Sequence, residues 1–542
     1  MKLSRLKGFR ASRVLGDMFV TSPLVRWTWS SLGQEKYEPK LVEFRPSDSE
    51  TVREMLEGRY LLAGRLIDTE GASPFAVHVD HPGWNEELNS FSWLRHFQDT
   101  NDPAGRGLAR TLVLDWISRN ATFRDSDWKL TILAQRVMNW FRHFSLICEG
   151  ATDDQIGLIY RSIGLQVQSA KLRSRLAFDP IDELMGHVIL VGAALSDGSN
   201  EPSVLASAES LCDKLEDQLG KDGFHRSRNP EVQLDLLVEL VTLRLALTQR
   251  SGKSVRRLVE LVEKMHRALD AVTLSTGEPG YFNGCGQLPT EIIIAVQGQG
   301  SSRQRGNALT AGYGLILEGN ASLLLDSGRI PPTAYAANAH SSALAFEFSY
   351  GNQLIAGNCG PAPADLYEHA DAFRQAVAHS GPSINGEGAS RVEPGGGLHS
   401  FGDKPFIEVS KSEATITAST TGFQSRFGVK LERRVNLISD GQSLVGQDRL
   451  VGKAKRGDNI ISLSFHLGPG IEAEKVPDTD MIIIRLPNMD SWTFLWEGAD
   501  AHIEDSVRHS RNIGFHRTRQ IVLAAPVETD AEIAWIFTRQ AR

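Results

Sequence analysis

Residues 338–360 read NAHSSALAFEFSYGNQLIAGNCG. From Leu344 to Tyr350 apolar residues alternate with small or polar ones, the period of a half-buried strand. Gly351-Asn352 then reads as a tight hairpin turn, because glycine supplies a positive φ at the first central position. The stretch therefore predicts a β-hairpin with a histidine, His340, where its first strand begins. Two readings of His340 are open at this point: a packed, hydrogen-bonded residue, or a member of a site.

Similar short runs fill the chain from about residue 307. GYGLILEG, ASLLLDSG, SRFGVKLERRVNLI, IISLSFHLG, MIIIRL, WTFLWEG and RQIVLAAP all end at Gly, Asp or Pro or close by. Many short strands separated by turn signals indicate an antiparallel β-sandwich. From about 100 to 275 the period is helical. WKLTILAQRVMNWFRHFSLI (128–147) places Ile132, Val137, Trp140, Phe141 and Phe144 near one stripe. Further helices are expected over 153–176, 181–195, 203–219, 230–249 and 252–274, with Thr152 or Asp153 capping the first. Asn229, Pro230 and Glu231 supply N-cap, N1 and first-turn acid for the helix at 230. The polar, glycine-rich QGQGSSRQRGN (297–307) is the expected linker. The expected organisation is an N-terminal arm (1–50), a helical domain (51–299) and a β-sandwich (300–542).

The chain has 542 residues, 41% hydrophobic and 23% charged, the proportions of a globular protein of more than one domain. A net charge of −8 and a pI of about 6.0 give no support to a nucleic-acid binder. Cys148, Cys212, Cys285 and Cys359 form no CxxC pair, so scattered free thiols are expected rather than a metal cluster. No apolar run reaches the roughly 18 residues that span a bilayer. MKLSRLKGFRASRVLGDMFV (1–20) carries five basic residues and no acid before Asp17. It reads as a basic arm, with attachment to an anionic membrane surface or a targeting peptide as the alternatives. A cytoplasmic location is the default, with a periplasmic one as the alternative.

Helices followed by a sandwich, together with specific strings, resemble the heparinase II/III-like family of polysaccharide lyases. WNEELNSFSWLRHF (84–97), AQRVMNW (134–140), DGFHRSRNP (222–230), the 338–360 hairpin, AVAHSGPSING (376–386), RFGVKLERRVNLISDGQSLVGQDRL and GFHRTRQIVL are similar to family segments in order and spacing. The resemblance covers roughly 60 to 525. It implies an incomplete α/α toroid followed by an antiparallel β-sandwich, and β-elimination at a uronic acid of an acidic polysaccharide. That reaction needs a group to neutralise the substrate carboxylate, a base at the C5 proton and an acid at the leaving oxygen. In the family an Asn or His neutralises, a Tyr and a His move protons, and some members hold zinc.

Carried over by position, His340 matches the second His of the family's His-x-His, and Asn338 replaces the first. Asn358 falls near the zinc-binding Asp, and His379 matches the third ligand. His340, Asn358 and His379 are therefore a candidate zinc set, weakened by the neutral amide. With a two-residue turn, Asn358 pairs with Ala345. His340 and Asn358 then face apart unless a bulge, a longer turn or an early strand end intervenes. Val232 occupies the likely position of the family Tyr and shares a stripe with Leu236, Leu240 and Leu243, as a core residue would.

The candidate catalytic residues are His225, His340, Asn338 and Arg228. Asn338 or Arg228 would neutralise the carboxylate, and His225 or His340 would move the proton. Candidate substrate contacts are Arg136, Asn139 and Trp140 on one helix, Trp84 and Trp93 as stacking rings, Asn283 in GYFNG (280–284), and Tyr313 as a replacement phenol. Each has a structural alternative: helix packing, core aromatics or turn chemistry. Two functions follow, a lyase acting on an acidic glycan, or a non-catalytic glycan-binding or polysaccharide-assembly protein on the same scaffold. A hydrolase would need two carboxylates facing across a cleft, and no such pair is nominated.

Overall fold

Strands Phe346–Tyr350 and Gln353–Gly357 form the expected hairpin, turning at Gly351 with φ 57°. The first strand starts two residues later than the alternation suggests, because Leu344 sits in the left-handed region at φ 63°. The return strand carries a bulge: Ser349 pairs with Leu354 but Phe348 with Ala356, leaving Ile355 extra. Asn358 therefore does not pair with Ala345; the strand ends at Gly357 and the next residues turn away. A computed structural model gives the structure over residues 15–30, 36–100, 102–119, 127–251, 255–301, 305–363, 368–394, 396–410, 412–510 and 514–540. The expected basic arm falls partly outside these residues, as do 302–304 of the expected linker.

The chain forms two compact units. One comprises residues 1–218, 236–263 and 294–300; the other comprises 219–235, 264–293 and 301–542.

The first unit is helical. Its helices include Pro103–Arg119, Leu130–Arg142, Asp153–Arg173, Pro180–Ser196 and Glu201–Gln218. Thr152 closes a capping box with Gln155, and Asp179 caps the helix that Pro180 opens. Phe91, Trp116 and Trp140 pack edge-to-face at its centre, with ring centroids 5.4–6.1 Å apart.

The second unit contains two large antiparallel sheets. One runs, in spatial order, through Phe406–Val409, Thr415–Thr420, Val429–Ile438, Ser443–Gly452, Glu532–Arg539, Ser491–Glu497, Met481–Arg485 and Glu472–Lys475. The other runs through Asp500–Ser510, Gly514–Pro526, Ile460–Leu467, the 346–357 hairpin, Ala321–Asp326, Tyr313–Glu318 and Ala308–Thr310. Val429–Ile438 buries alternate residues, as a strand with one face on a core does. Phe346, Phe465, Trp535 and Phe537 from both sheets meet in one buried cluster, with Phe346 and Trp535 stacked at 5.5 Å. Each such side chain contributes about 1.5–3 kcal/mol by leaving water. Arg433 and Asp448 form an ion pair inside this layer, and the Trp535 indole N–H donates to the same carboxylate.

Candidate functional site

The candidate residues outside the helical unit all lie in the β-rich unit, on the segments 219–235 and 264–293 and on the strands and loops that follow. The Asp-Gly-x-His turn comes first. Asp222 accepts hydrogen bonds from the amides of Phe224 and Ala311. Gly223 has φ 85°, and a Cβ there would lie 2.7 Å from the backbone of Lys264, so no other residue fits. Gln233 locks the turn from the helix: its Oε1 accepts from the His225 amide, and its Nε2 donates to the carbonyls of Gly223 and Met265.

His225 is fully buried. Its Nδ1 accepts from the Ser227 amide and lies 2.8 Å from the Ser227 hydroxyl, which leaves the proton on Nε2. Burial, reinforced by the Arg226 cation, pushes its pKa down to about 3. The ring of Tyr335 stands edge-on to it at 5.4 Å. Tyr335 was not a candidate from sequence, since PPTAYAAN has no period and only position ahead of Asn338 marks it.

Arg228 has φ 58° and ends the turn before Asn229, whose side chain caps the helix at the Glu231 amide. Its guanidinium is held on every side. It donates to the Ala311 and Arg329 carbonyls and to the Asp326 carboxylate, and it lies 4.2 Å from the Tyr313 ring centre. Asp326 is itself fully buried and accepts from the Gly328 amide and the Ser342 hydroxyl. Tyr313 is also fully buried, and its hydroxyl donates to the Arg228 carbonyl. Burial raises that phenol far above its ordinary range. The side-chain amide of Asn283 donates to the Tyr313 hydroxyl, and its Oδ1 accepts from the His340 amide.

His340 joins His379. The His379 Nδ1 lies 2.8 Å from the Gln375 carbonyl and so carries the proton. Its Nε2 then accepts from the His340 Nδ1, also at 2.8 Å. Burial holds both rings neutral, pushing His379 down to about 4 and His340 well below its usual value. Asn358 is committed to the backbone at both ends: Oδ1 accepts from the Ser380 amide and Nδ2 donates to the Tyr281 carbonyl. Beside it, the buried Glu347 accepts from the amides of Tyr281 and Asn358 and from Arg508. Only Asn338 is exposed; it packs against Gly284, where a Cβ would come within 2.8 Å of its own.

The residues do not fit the zinc ion that the family resemblance implies. Two ligands 2.0–2.1 Å from a tetrahedral zinc stand about 3.3 Å apart. The facing nitrogens of His340 and His379 stand at 2.8 Å, the distance of a direct hydrogen bond. Asn358, a neutral amide whose oxygen already accepts from the Ser380 amide, is a poor replacement for the third ligand. Among the described residues no group of three or more His, Cys, Asp or Glu is placed to hold a metal.

The helical candidates are core residues. Trp84, Trp93 and Trp140 are at most 2% exposed, and the first two donate to the Tyr60 and Leu88 carbonyls. A ring without an exposed face cannot stack on a sugar. Arg136 is enclosed, donating to Gln166 and to the Asn89 and Asp127 carbonyls, with its guanidinium 4.1 Å from the Trp116 ring centre. Asn139 donates to the Ser90 carbonyl and accepts from Arg45 and Arg142. The Arg-x-x-Asn-Trp string thus staples helices together. Val232 is half-buried, not the core residue its stripe suggests.

Residues 301–536 match the family described as heparinase II/III-like, C-terminal. The crystal structure of heparinase III aligns with 94% of this chain and 88% of its own, at TM-score 0.68 and 13% identity. The C-terminal part of the chain thus resembles the heparinase II/III-like family. Heparan sulfate lyase HepC from Pedobacter heparinus aligns with 96% of the chain and 88% of its own at TM-score 0.58 and 12% identity. These likenesses show the fold expected from sequence, an incomplete α/α toroid followed by an antiparallel β-sandwich, and so a polysaccharide lyase-like scaffold. A curated relative, FtsZ-localized protein C of Caulobacter vibrioides, is 24% identical over 528 residues, which cover 92% of this chain and 91% of the relative. No described helix of the chain is long and apolar enough to cross a membrane.

Proposed function

We propose that this protein is a non-catalytic assembly protein on a lyase-like scaffold, and that it associates with FtsZ. One observation carries the first half: of the four candidate catalytic residues, His225, His340 and Arg228 are buried and engaged by neighbouring groups, and Asn338 alone is exposed. Both nitrogens of His379 and Nδ1 of His340 are engaged, and Arg228 is neutralised by Asp326. A general base works best with a pKa near the operating pH. His225, pushed down to about 3, and His340, held well below its usual value by burial, are too acidic as conjugate acids to remove a carbon-bound proton. The relative whose length parallels this chain supports the second half, being named for localisation to FtsZ. A cytoplasmic location belongs to the same proposal.

The second reading, a lyase acting on an acidic polysaccharide, is favoured by the Tyr335 ring beside His225. There the exposed Asn338 would meet the carboxylate and Tyr335 would supply the missing phenol. One experiment separates them. The chain is incubated with a panel of uronate polysaccharides while absorbance follows the unsaturated product, and in parallel is sedimented with polymerised FtsZ. Sedimentation without product is expected. Product formation lost in both His225→Ala and Tyr335→Phe would overturn the proposal in favour of the lyase.

A further inference from the structure

The N-terminal helical segment is inside out. Residues 15–21 are helical and a second helix follows at Pro23–Ser30. Leu15, Met18 and Phe19 recur at helical spacing on one face and are 63–66% exposed. Leu24 and Trp27 continue the pattern at 82% and 70%. The opposite face meets the helical unit. Asp17 receives two hydrogen bonds from Arg173, at 2.7 and 3.1 Å, and Arg173 is fixed in turn by the Trp128 carbonyl. Gly16 lies against Leu176. The segment therefore turns its one carboxylate inward and its large apolar side chains outward. Other exposed large apolar residues are scattered along the chain, whereas five fall within these 13 positions.

The sequence around this face has one sign of charge. Residues 1–34 contain Lys2, Arg5, Lys7, Arg10, Arg13 and Arg26 against Asp17 alone, in a chain of net charge −8. We propose that this segment attaches the protein to an anionic lipid surface, lying in the interface with its apolar face among the acyl chains. An outward apolar face beside a basic run is what interfacial binding uses, with anionic headgroups supplying the opposite charge. The segment is too short and interrupted to span the bilayer. A second copy fits less well, because pairing two such faces brings two basic runs together.

The test uses the full chain and floats it with vesicles of phosphatidylcholine, with or without about 30% phosphatidylglycerol. The protein is expected to float with the anionic vesicles and to be released by salt. Phe19→Glu with Trp27→Glu should lower the bound fraction about tenfold. Lys2, Arg5, Lys7 and Arg10, all changed to Gln, should remove the preference for anionic vesicles. Both variants should keep the parent melting temperature, since the Phe19 and Trp27 side chains are exposed. No flotation, or flotation unchanged by either variant, would overturn the proposal. So would a dimer in solution that the Phe19→Glu/Trp27→Glu variant dissolves, which would make the face a self-interface.

Discussion

Separating Arg228 from Asp326 should expose how tightly the candidate site is built. The two side chains are 4% and 1% exposed and form an ion pair within the β-rich unit. Asp326→Asn keeps the shape and one acceptor oxygen, enough for the Gly328 amide, while its NH2 can donate to the Ser342 hydroxyl, but it leaves the guanidinium uncompensated, with two carbonyls and a ring face for company. Arg228→Met keeps length and leaves the carboxylate with two neutral donors. The left-handed backbone at 228 is unchanged, so its strain cancels in the comparison. Breaking one side of a buried pair costs about 3–5 kcal/mol, whereas removing both charges leaves neither stranded. The double variant is thus expected to cost about as much as one single variant, a coupling of about 3 kcal/mol. The β-rich unit has about 290 residues, and unfolding entropy near 2.1 cal/mol/K per residue gives about 0.6 kcal/mol per degree. Each single substitution should therefore lower the calorimetric melting temperature of this unit by about 5–8 °C, and the double by a similar amount. A single-variant shift below about 2 °C, or a double shift equal to the sum, would refute the reasoning.

Two further outcomes follow. His379 has its pKa pushed down from 6.5 to about 4, so between those values the unfolded chain holds a proton that the folded chain refuses. The His379 contribution to stability is then full above pH 6.5, falls by about 1.4 kcal/mol per pH unit on acidification and levels off below about 4. His379→Gln should reduce the slope in urea titrations between pH 7 and 5 without abolishing it, since burial depresses His225, His340 and His466 too, and an unchanged slope would refute the His379 contribution. Gly446 faces Trp535 across the strands 443–452 and 532–539, and a Cβ there would fall 2.0 Å from the indole ring. Gly446→Ala should destabilise by about 1–3 kcal/mol or more through overpacking, read as the urea midpoint of the β-rich unit.

The strands and helices were legible because their signals are local. The helix expected at 230–249 forms as Pro230–Ser251, opened by Asn229, and the hairpin at 351 turns on its glycine. The bulge at Ile355 was not legible, because nothing in QLIAG distinguishes a regular return strand from one with an extra residue. The pairing of His340 with His379 was foreshadowed by their shared family positions, but their direct hydrogen bond was not, because it joins two loops 39 residues apart in sequence. Asp326 and Glu347 were missed, though each leaves a trace: an acid at the end of ASLLLD, and one between phenylalanines in LAFEFSY. A carboxylate in a buried strand must have a partner, but the partners, Arg228 and Arg508, lie 98 and 161 residues away. The tryptophans gave the opposite difficulty, since composition cannot tell a ring that covers a sugar from one that fills a core.

The grouping of 219–235 and 264–293 with the strands has a practical consequence for dissecting the molecule. A fragment begun at residue 301 would retain every strand of both large sheets, yet it would lose the Arg228 guanidinium that neutralises Asp326 and the Tyr281 amide that binds Glu347. Asp326 would be stranded beneath the surface, Glu347 would keep Arg508 but lose one donor, and Tyr313 would lose the Phe224 and Phe282 rings packed against it. The boundary suggested by the change of period is thus a poor place for scissors, and a shuffled or truncated gene would need to carry those two distant helical pieces along.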